Sequence, residues 1–215
     1  IITNYITNTS PSGVTFSCPK DYISISNIHF VGYQLGGSPA FGAVTNFHGT
    51  YTICRNCGFF SPASATESYQ YEFTVNIGSR GPTIERCVFF GHLSIRSNQN
   101  TGSAYDSQTL VRDCILMNQN TNSTVNGALM VNTFGTSALF GGIKVISCRL
   151  QAQIGIRQYP TYRISSTYPL VAQNCIFDCP TGISSNNTGD MIESYNLFNS
   201  ATALVNVTAG TGSVT

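Results

Sequence analysis

The stretch Ile84-Glu85-Arg86-Cys87-Val88-Phe89 decides the fold, because the chain carries the same phrase seven times. The other copies are Ile25-Ser26-Asn27-Ile28-His29-Phe30, Cys54-Arg55-Asn56-Cys57-Gly58-Phe59, Val111-Arg112-Asp113-Cys114-Ile115-Leu116, Val145-Ile146-Ser147-Cys148-Arg149-Leu150, Ala172-Gln173-Asn174-Cys175-Ile176-Phe177 and Ile192-Glu193-Ser194-Tyr195-Asn196-Leu197. Each reads as an apolar residue, two polar residues, usually Cys, any residue, then Phe or Leu. The fourth positions are residues 28, 57, 87, 114, 148, 175 and 195, separated by 29, 30, 27, 34, 27 and 20 residues. A unit this short cannot bury its own apolar side and must stack on its neighbours.

The periodicity between copies is that of strands. Phe73, Val75 and Ile77 alternate, as do Leu93 and Ile95, Leu129 and Val131, and Ile154 and Ile156. Period two puts such residues on one face of a strand. Each unit offers three short strands, one well before the Cys, one leading into it and one after it. Three strands per coil of variable length, with insertions leaving at a corner, predicts an all-β, right-handed parallel β-helix. At roughly 4.8 Å per coil it would have about seven to eight coils. Residues 1–215 read as a single β-helix domain, against the competing β-sandwich, because a sandwich does not require one phrase in one register.

The phrase resembles the repeating unit of the pectate-lyase-like β-helix superfamily, from Tyr22 onward. The resemblance implies a right-handed β-helix and carries no chemistry in itself. A second likeness lies in Ile156-Arg157-Gln158-Tyr159-Pro160-Thr161-Tyr162-Arg163, which resembles the Arg-x-Pro-x-x-Arg run of pectate lyases, with the first Arg one residue too far from the Pro. That resemblance implies Arg157 and Arg163 as catalytic candidates. The paired-Asp and Gly-His-Gly signatures of the family's glycosidases are absent.

Only 9% of the residues are charged, where an ordinary domain has about 25%. The net charge is +1 and no basic stripe is legible, which speaks against nucleic acid as a partner. No apolar run approaches membrane-spanning length. Ser, Thr, Asn and Gln supply the polarity, a neutral hydrogen-bonding surface suited to glycans or to self-packing. No secretory leader is legible from Ile1 onward, which reads as a processed N-terminus or the interior of a longer protein. No cap is legible either. Residues 1–13 are polar, and residues 207–215 trail off in Gly, Ser and Thr. A solenoid end needs covering, so the chain is expected to be part of a longer protein or of an assembly whose partner subunit covers it.

Five of the eight cysteines, at 57, 87, 114, 148 and 175, share one position and predict an inward ladder. Rungs about 4.8 Å apart exceed the roughly 3.8 Å Cβ separation of a disulfide, so the ladder should stay reduced. Cys54 and Cys18 also read as core. A Cys175–Cys179 bridge stays open. Cys54-Arg55-Asn56-Cys57 has half the spacing of a zinc site but no second half, so neither a metal nor another cofactor is expected.

Stacking predicts that Glu85 meets Arg112 and that Arg86 meets Asp113 on adjacent coils. Asn27, Asn56 and Asn174 share a turn position. After the Cys, Phe59, Phe89 and Leu116 should face in, and Phe60, Phe90 and Met117 should face out as an apolar stripe. On another strand, Ser94 and Gly155 should face out, and Arg157 with Arg96 would sit on that outer face. Phe60, Phe90, Tyr159, Tyr162 and Arg157 are the expected ligand-binding residues, since aromatic rings and tyrosine hydroxyls at loop corners suit sugars. The expected function is a non-catalytic β-helix, extracellular or on a cell or virion surface, that binds or organises polysaccharide. Self-assembly into a homo-oligomer is a further expected partnership. The alternatives are a lyase or glycoside hydrolase acting on acidic polysaccharide, and a tailspike-type structural module of a virus or phage.

Overall fold

The computed structural model describes residues 16–18, 20–31, 45–47, 50–60, 72–76, 81–97, 105–119, 126–133, 140–158 and 164–215. Among them every regular element is a strand, and the strands form three sheets of eight, seven and seven members. All printed pairings within the sheets are parallel, each strand pairing with its counterpart one repeat later. The chain is a parallel β-helix. One coil runs Glu72–Asn76 in sheet 1, Thr83–Glu85 in sheet 2 and Val88–Phe90 in sheet 3.

Register makes the repeats vertical neighbours. Phe30, Phe59, Phe89, Leu116, Leu150, Phe177 and Phe198 form one inward column of sheet 3. Its rings stack nearly parallel, with centroids 4.9 Å apart for Phe30–Phe59, 4.6 Å for Phe59–Phe89 and 4.7 Å for Phe177–Phe198. Ile25, Cys54, Ile84, Val111, Val145 and Ala172 form the matching column of sheet 2. The core is therefore a set of homologous ladders, and dispersion between like side chains one rung apart holds it.

The corner between sheets 2 and 3 explains the phrase. Asn27, Asn56, Arg86, Asp113, Ser147, Asn174 and Tyr195 all adopt positive φ, between 51° and 59°. One left-handed residue turns the chain sharply, and among residues with a side chain Asn is one of those that tolerate that conformation best. From Asn56 onward the residue after it is buried, whereas Ile28, after Asn27, is exposed. At Cys57, Cys87, Cys114, Cys148 and Cys175 the thiol donates to the carbonyl two residues back, at 3.1–3.4 Å. Each thiol also approaches a carbonyl one coil earlier, at 3.5–3.9 Å. Cys is thus a small buried side chain that satisfies a corner carbonyl. All seven described cysteines are free thiols, including Cys175 and Cys179. Burial pushes the Cys179 thiol up to about 11. The side chain of Cys18 lies outside the described residues.

The seventh copy departs from the sequence reading by one residue. Ala172 pairs with Glu193 and Gln173 with Ser194, so Tyr195 is the left-handed corner residue and Asn196 occupies the Cys position. Glu193 and Asn196 consequently point inward and are buried. The Asn196 amide donates to Ala172 O at 3.0 Å, the role the thiols have on earlier coils. Its Oδ1 accepts from Cys175 N at 2.8 Å.

The C-terminal stretch does not trail off. Residues 206–215 lie on the last coil as a further, polar rung. Thr208 bridges Ile192, and Val214 bridges Leu197. Tyr195 N donates to Thr211 O, Phe198 N to Val214 O and Val214 N to Asn196 O, at 2.8–2.9 Å. A cap that composition hides is therefore present over Phe198 and Met191.

Two further expectations fail on packing. Gly155 does not face solvent: a Cβ there would lie 2.5 Å from Phe177 Cδ1, and one on Gly182 would lie 2.5 Å from Phe198 Cδ1. The large rings of sheet 3 fill the space a side chain would need. Ser94 is fully buried.

Candidate binding surface

Sheet 3 presents its outer face as two columns. One contains His29, Gly58, Val88, Ile115, Arg149, Ile176 and Leu197. The other contains Phe60, Phe90, Met117, Gln151, Asp178 and Asn199, the strand ends Met117–Gln151 and Asp178–Asn199 being in register. Phe60 and Phe90 stack at 5.2 Å with 21° between planes, and His29 sits 5.8 Å from Phe60. The Phe60 ring folds back over Gly58, where a Cβ would lie 2.6 Å from its Cε2. Alternation placed Phe60 and Phe90 outward, and they are there, with Phe90 39% exposed. Their ring faces, however, are turned to one another, so the ribbon offers ring edges and apolar surface rather than open faces.

Beyond Met117 the ribbon becomes polar. Met117, Asn118, Gln119, Gln151, Gln153 and Asp178 line a groove of about 340 Å³ at the corner leading to sheet 1. Asn118 is the buried anchor: its amide donates to Gly127 O at 2.8 Å, and its N–H to Gln151 O at 2.8 Å. Gln119, Gln151 and Gln153 are exposed amides. Arg149 Nη2 lies 3.3 Å from Asp178 Oδ2, and Asn199 Nδ2 donates to Asp178 Oδ1 at 3.0 Å, which fixes the carboxylate at the groove wall.

On the neighbouring sheet 2, Glu85 is buried beneath three arginines. Arg55 Nε lies 3.1 Å from Oε2, Arg112 Nη2 3.1 Å from Oε2 and Arg86 Nη1 2.8 Å from Oε1. The expected Glu85–Arg112 pair is formed. The expected Arg86–Asp113 pair is not, because Arg86 turns to Glu85 and donates through Nε to Asn56 Oδ1 at 2.9 Å. The Arg112 guanidinium, with Arg55 and Arg86 beside it, holds the Glu85 carboxyl below the ordinary carboxylate range against the opposing cost of burial. A carboxyl whose folded pKa is depressed stabilises the fold fully above its unfolded pKa of about 4.3, and that contribution disappears as pH falls through the folded value. Urea midpoints measured from pH 7 down to 3 should therefore fall less steeply below about pH 4.3 in Glu85→Gln than in the parent chain. Parallel curves would show that the cluster does not titrate with folding.

Asp113 is exposed, and four other acids are spent on structure. Asp21 accepts from Thr50 N, Asp106 from Gln108 N, Asp190 from Asn187 and Gln158, and Glu193 from Gly210 N and Asn196. Three thiols, Cys54, Cys57 and Cys87, lie within 4.8 Å of one another and are buried in the core.

The expected catalytic run is only partly visible. Arg157 is half-buried and its Nη1 donates to Asn126 Oδ1. It pairs in register with Met130, which itself pairs with Ser94, whereas Arg96 pairs with Asn132. The two positions thus lie in neighbouring columns of the same strand face. Tyr159, Tyr162 and Arg163 lie outside the described residues.

One aromatic pair escaped the sequence reading. Tyr22 and Tyr51 stack at 5.5 Å, both at positive φ, and the Tyr51 ring covers Gly81, where a Cβ would lie 2.4 Å from its Cδ1. Tyr22 is 74% exposed. The signal was the spacing of Tyr22, Tyr51 and Gly81, which is that of the repeat itself.

No protein-family model, curated protein or solved structure matches this chain. Among the described residues no helix is long and apolar enough to cross a membrane.

Proposed function

We propose that this chain is a non-catalytic β-helix that binds or organises polysaccharide at an extracellular, cell or virion surface. We place the fold with the pectate-lyase-like superfamily on the corner phrase alone. The observation that carries the reading is the groove of Gln119, Gln151, Gln153 and Asp178 continuing an apolar ribbon through Met117 to Phe90. A sugar has an apolar C–H face and a rim of hydroxyls. Planar amides offer a donor and an acceptor each, Asp178 accepts, and the ribbon takes the apolar face. The engagement of Asp21, Asp106, Asp190 and Glu193 in structural bonds supports binding over hydrolysis, which needs two carboxyl groups flanking a bond.

The test is retention on insoluble cellulose, chitin and pectin. Retention is expected on at least one of them, and Gln151→Ala should weaken it about ten-fold, the equivalent of one well-made hydrogen bond. No retention on any of the three would end the reading. A structural, tailspike-type assembly module is the second reading, favoured by Ile115, Ile176 and Leu197 exposed in one column at 40%, 44% and 48%. A solution mass above that of the 23.1 kDa chain would support it.

A further inference from the structure

We infer that Arg55, Arg86 and Arg112, gathered on Glu85, form an anion subsite for the sulfate or carboxylate groups of an acidic polysaccharide. The choice of ligand rests on the polysaccharide reading above, and the subsite itself rests on geometry.

The three guanidinium groups all lie within 3.1 Å of one carboxylate. One negative charge there faces three positive ones, leaving an excess of two on the outer side of sheet 2. Glu85 has 3% of its side chain exposed, whereas the arginines are 43%, 53% and 45% exposed. The carboxylate is thus a buried anchor and the cations are its outward rim. Arg55 spends Nε on Glu85, Arg112 spends Nη2, and Arg86 spends Nη1 on Glu85 and Nε on Asn56. Among the described residues these groups make no other contact, so each retains donors for an oxyanion. Guanidinium forks match carboxylate and sulfate oxygens in pairs, and three held by one anchor lose little freedom on binding.

The surroundings select the size of the ligand charge. Thr83 and Leu110, in register beside the cluster, and Gln173, two rungs past Arg112, are uncharged, while Lys144, in register with Leu110 one rung on, adds a single further cation. Asp113, next to Arg112, is exposed and trims the excess. A nucleic-acid strand releases many counterions along a run of cations, and this patch concentrates its charge in one place. An isolated acidic substituent on a neutral polymer fits it better. The cluster also adjoins the sheet 3 face, since Arg86 is the corner residue leading into Val88–Phe90.

Heparin, polygalacturonate, neutral dextran and duplex DNA are the probes, with binding measured by titration calorimetry at several salt concentrations. Arg86→Asn is the diagnostic variant, because Asn holds the same left-handed position at residues 27, 56 and 174 and the corner should be kept. Lys20→Gln, at an exposed lysine outside both the cluster and the groove, is the charge-matched control. The expected result is heparin or polygalacturonate binding that weakens with salt, falls about ten-fold in Arg86→Asn and stays within about two-fold of the parent in Lys20→Gln. Equal losses in both variants would reduce the effect to net charge and overturn the subsite. So would unchanged binding in Arg86→Asn, or duplex DNA binding more tightly than either glycan. Sodium sulfate against sodium chloride at matched ionic strength supplies a polymer-free arm: sulfate stabilises both chains by general exclusion, and should raise the unfolding midpoint of the parent more than that of Arg86→Asn. Retention on neutral glycans without any arginine dependence leaves the groove reading standing and removes the subsite. Arginine-dependent sulfate binding without glycan retention does the reverse.

Discussion

Glu193→Ala is expected to lower stability by about 3 kcal/mol, and to loosen the C-terminal rung before the rest of the molecule. Every earlier residue in its column is apolar or Cys, and Glu193 breaks that run on the last coil of sheet 2. The reason is what lies above it. Ile84 is covered by Val111, but Glu193 is covered by residues 206–215, whose amides and hydroxyls need acceptors. Its Oε1 accepts from Gly210 N at 3.0 Å, and its Oε2 from Asn196 Nδ2 at 2.9 Å and from Ser213 Oγ. Removing the carboxyl leaves the Gly210 N–H and the buried Asn196 amide without those partners, and each unsatisfied group costs about 1–3 kcal/mol. Only glycine fits at position 210, since a Cβ there would lie 1.8 Å from Glu193 O. In amide exchange, Tyr195 N and Phe198 N, which donate to Thr211 O and Val214 O, should lose protection first. Native protection at both, with an unchanged urea midpoint, would show that Glu193 does not hold the cap.

That same residue shows where the sequence is legible and where it is not. The coils from residue 25 to 177 repeat inward apolar residues, so a pattern of apolar, polar and Cys positions recovers their register. On the last coil the polarity inverts. Glu193 and Asn196 turn inward to meet the polar rung, while Ile192 and Leu197 flank them, so matching by hydrophobicity slips the register by one. The strand faces were readable because alternation is strict after the corner, which placed Phe60 and Phe90 outward. Alternation ends where strands end. Gln119 and Gln153 lie just beyond their strands, and the groove they line with Gln151 and Asp178 was missed, although Met117, Gln151 and Asp178 occupy one position of the repeat. Long side chains also reach across columns. Sequence equivalence pairs Arg86 with Asp113, but a buried carboxylate at Glu85 attracts every arginine within reach, and one-to-one pairing gives way to a cluster. Gly155 failed for a different reason: the demand for a small residue comes from Phe177, on another sheet.

Adjacent phenylalanines of opposite facing give the strongest test of the register. Phe89→Ala is expected to cost about 3–5 kcal/mol and Phe90→Ala about 1 kcal/mol. Phe89 is 1% exposed, stacks on Phe59 at 4.6 Å with 9° between planes, and is in register with Leu116. Truncating it opens a void that neighbours held by ladder hydrogen bonds on both sides cannot close, so the transfer loss and the cavity both count. Phe90 loses one ring contact, to Phe60 at 5.2 Å, and solvent fills its place. Urea unfolding with unchanged slopes should separate the two variants by at least about 2 kcal/mol. Equal losses would mean that the face assignment derived from the repeat is wrong, and every column built on it with it. The functional consequence runs the other way. Phe90→Ala keeps the fold and removes the exposed edge of the ribbon that leads into the amide groove, so it should weaken retention on polysaccharide while lowering the thermal midpoint by only about 2–4 °C. The ratio of stability loss to binding loss at these two positions thus distinguishes a ring that builds the stack from a ring that meets a ligand.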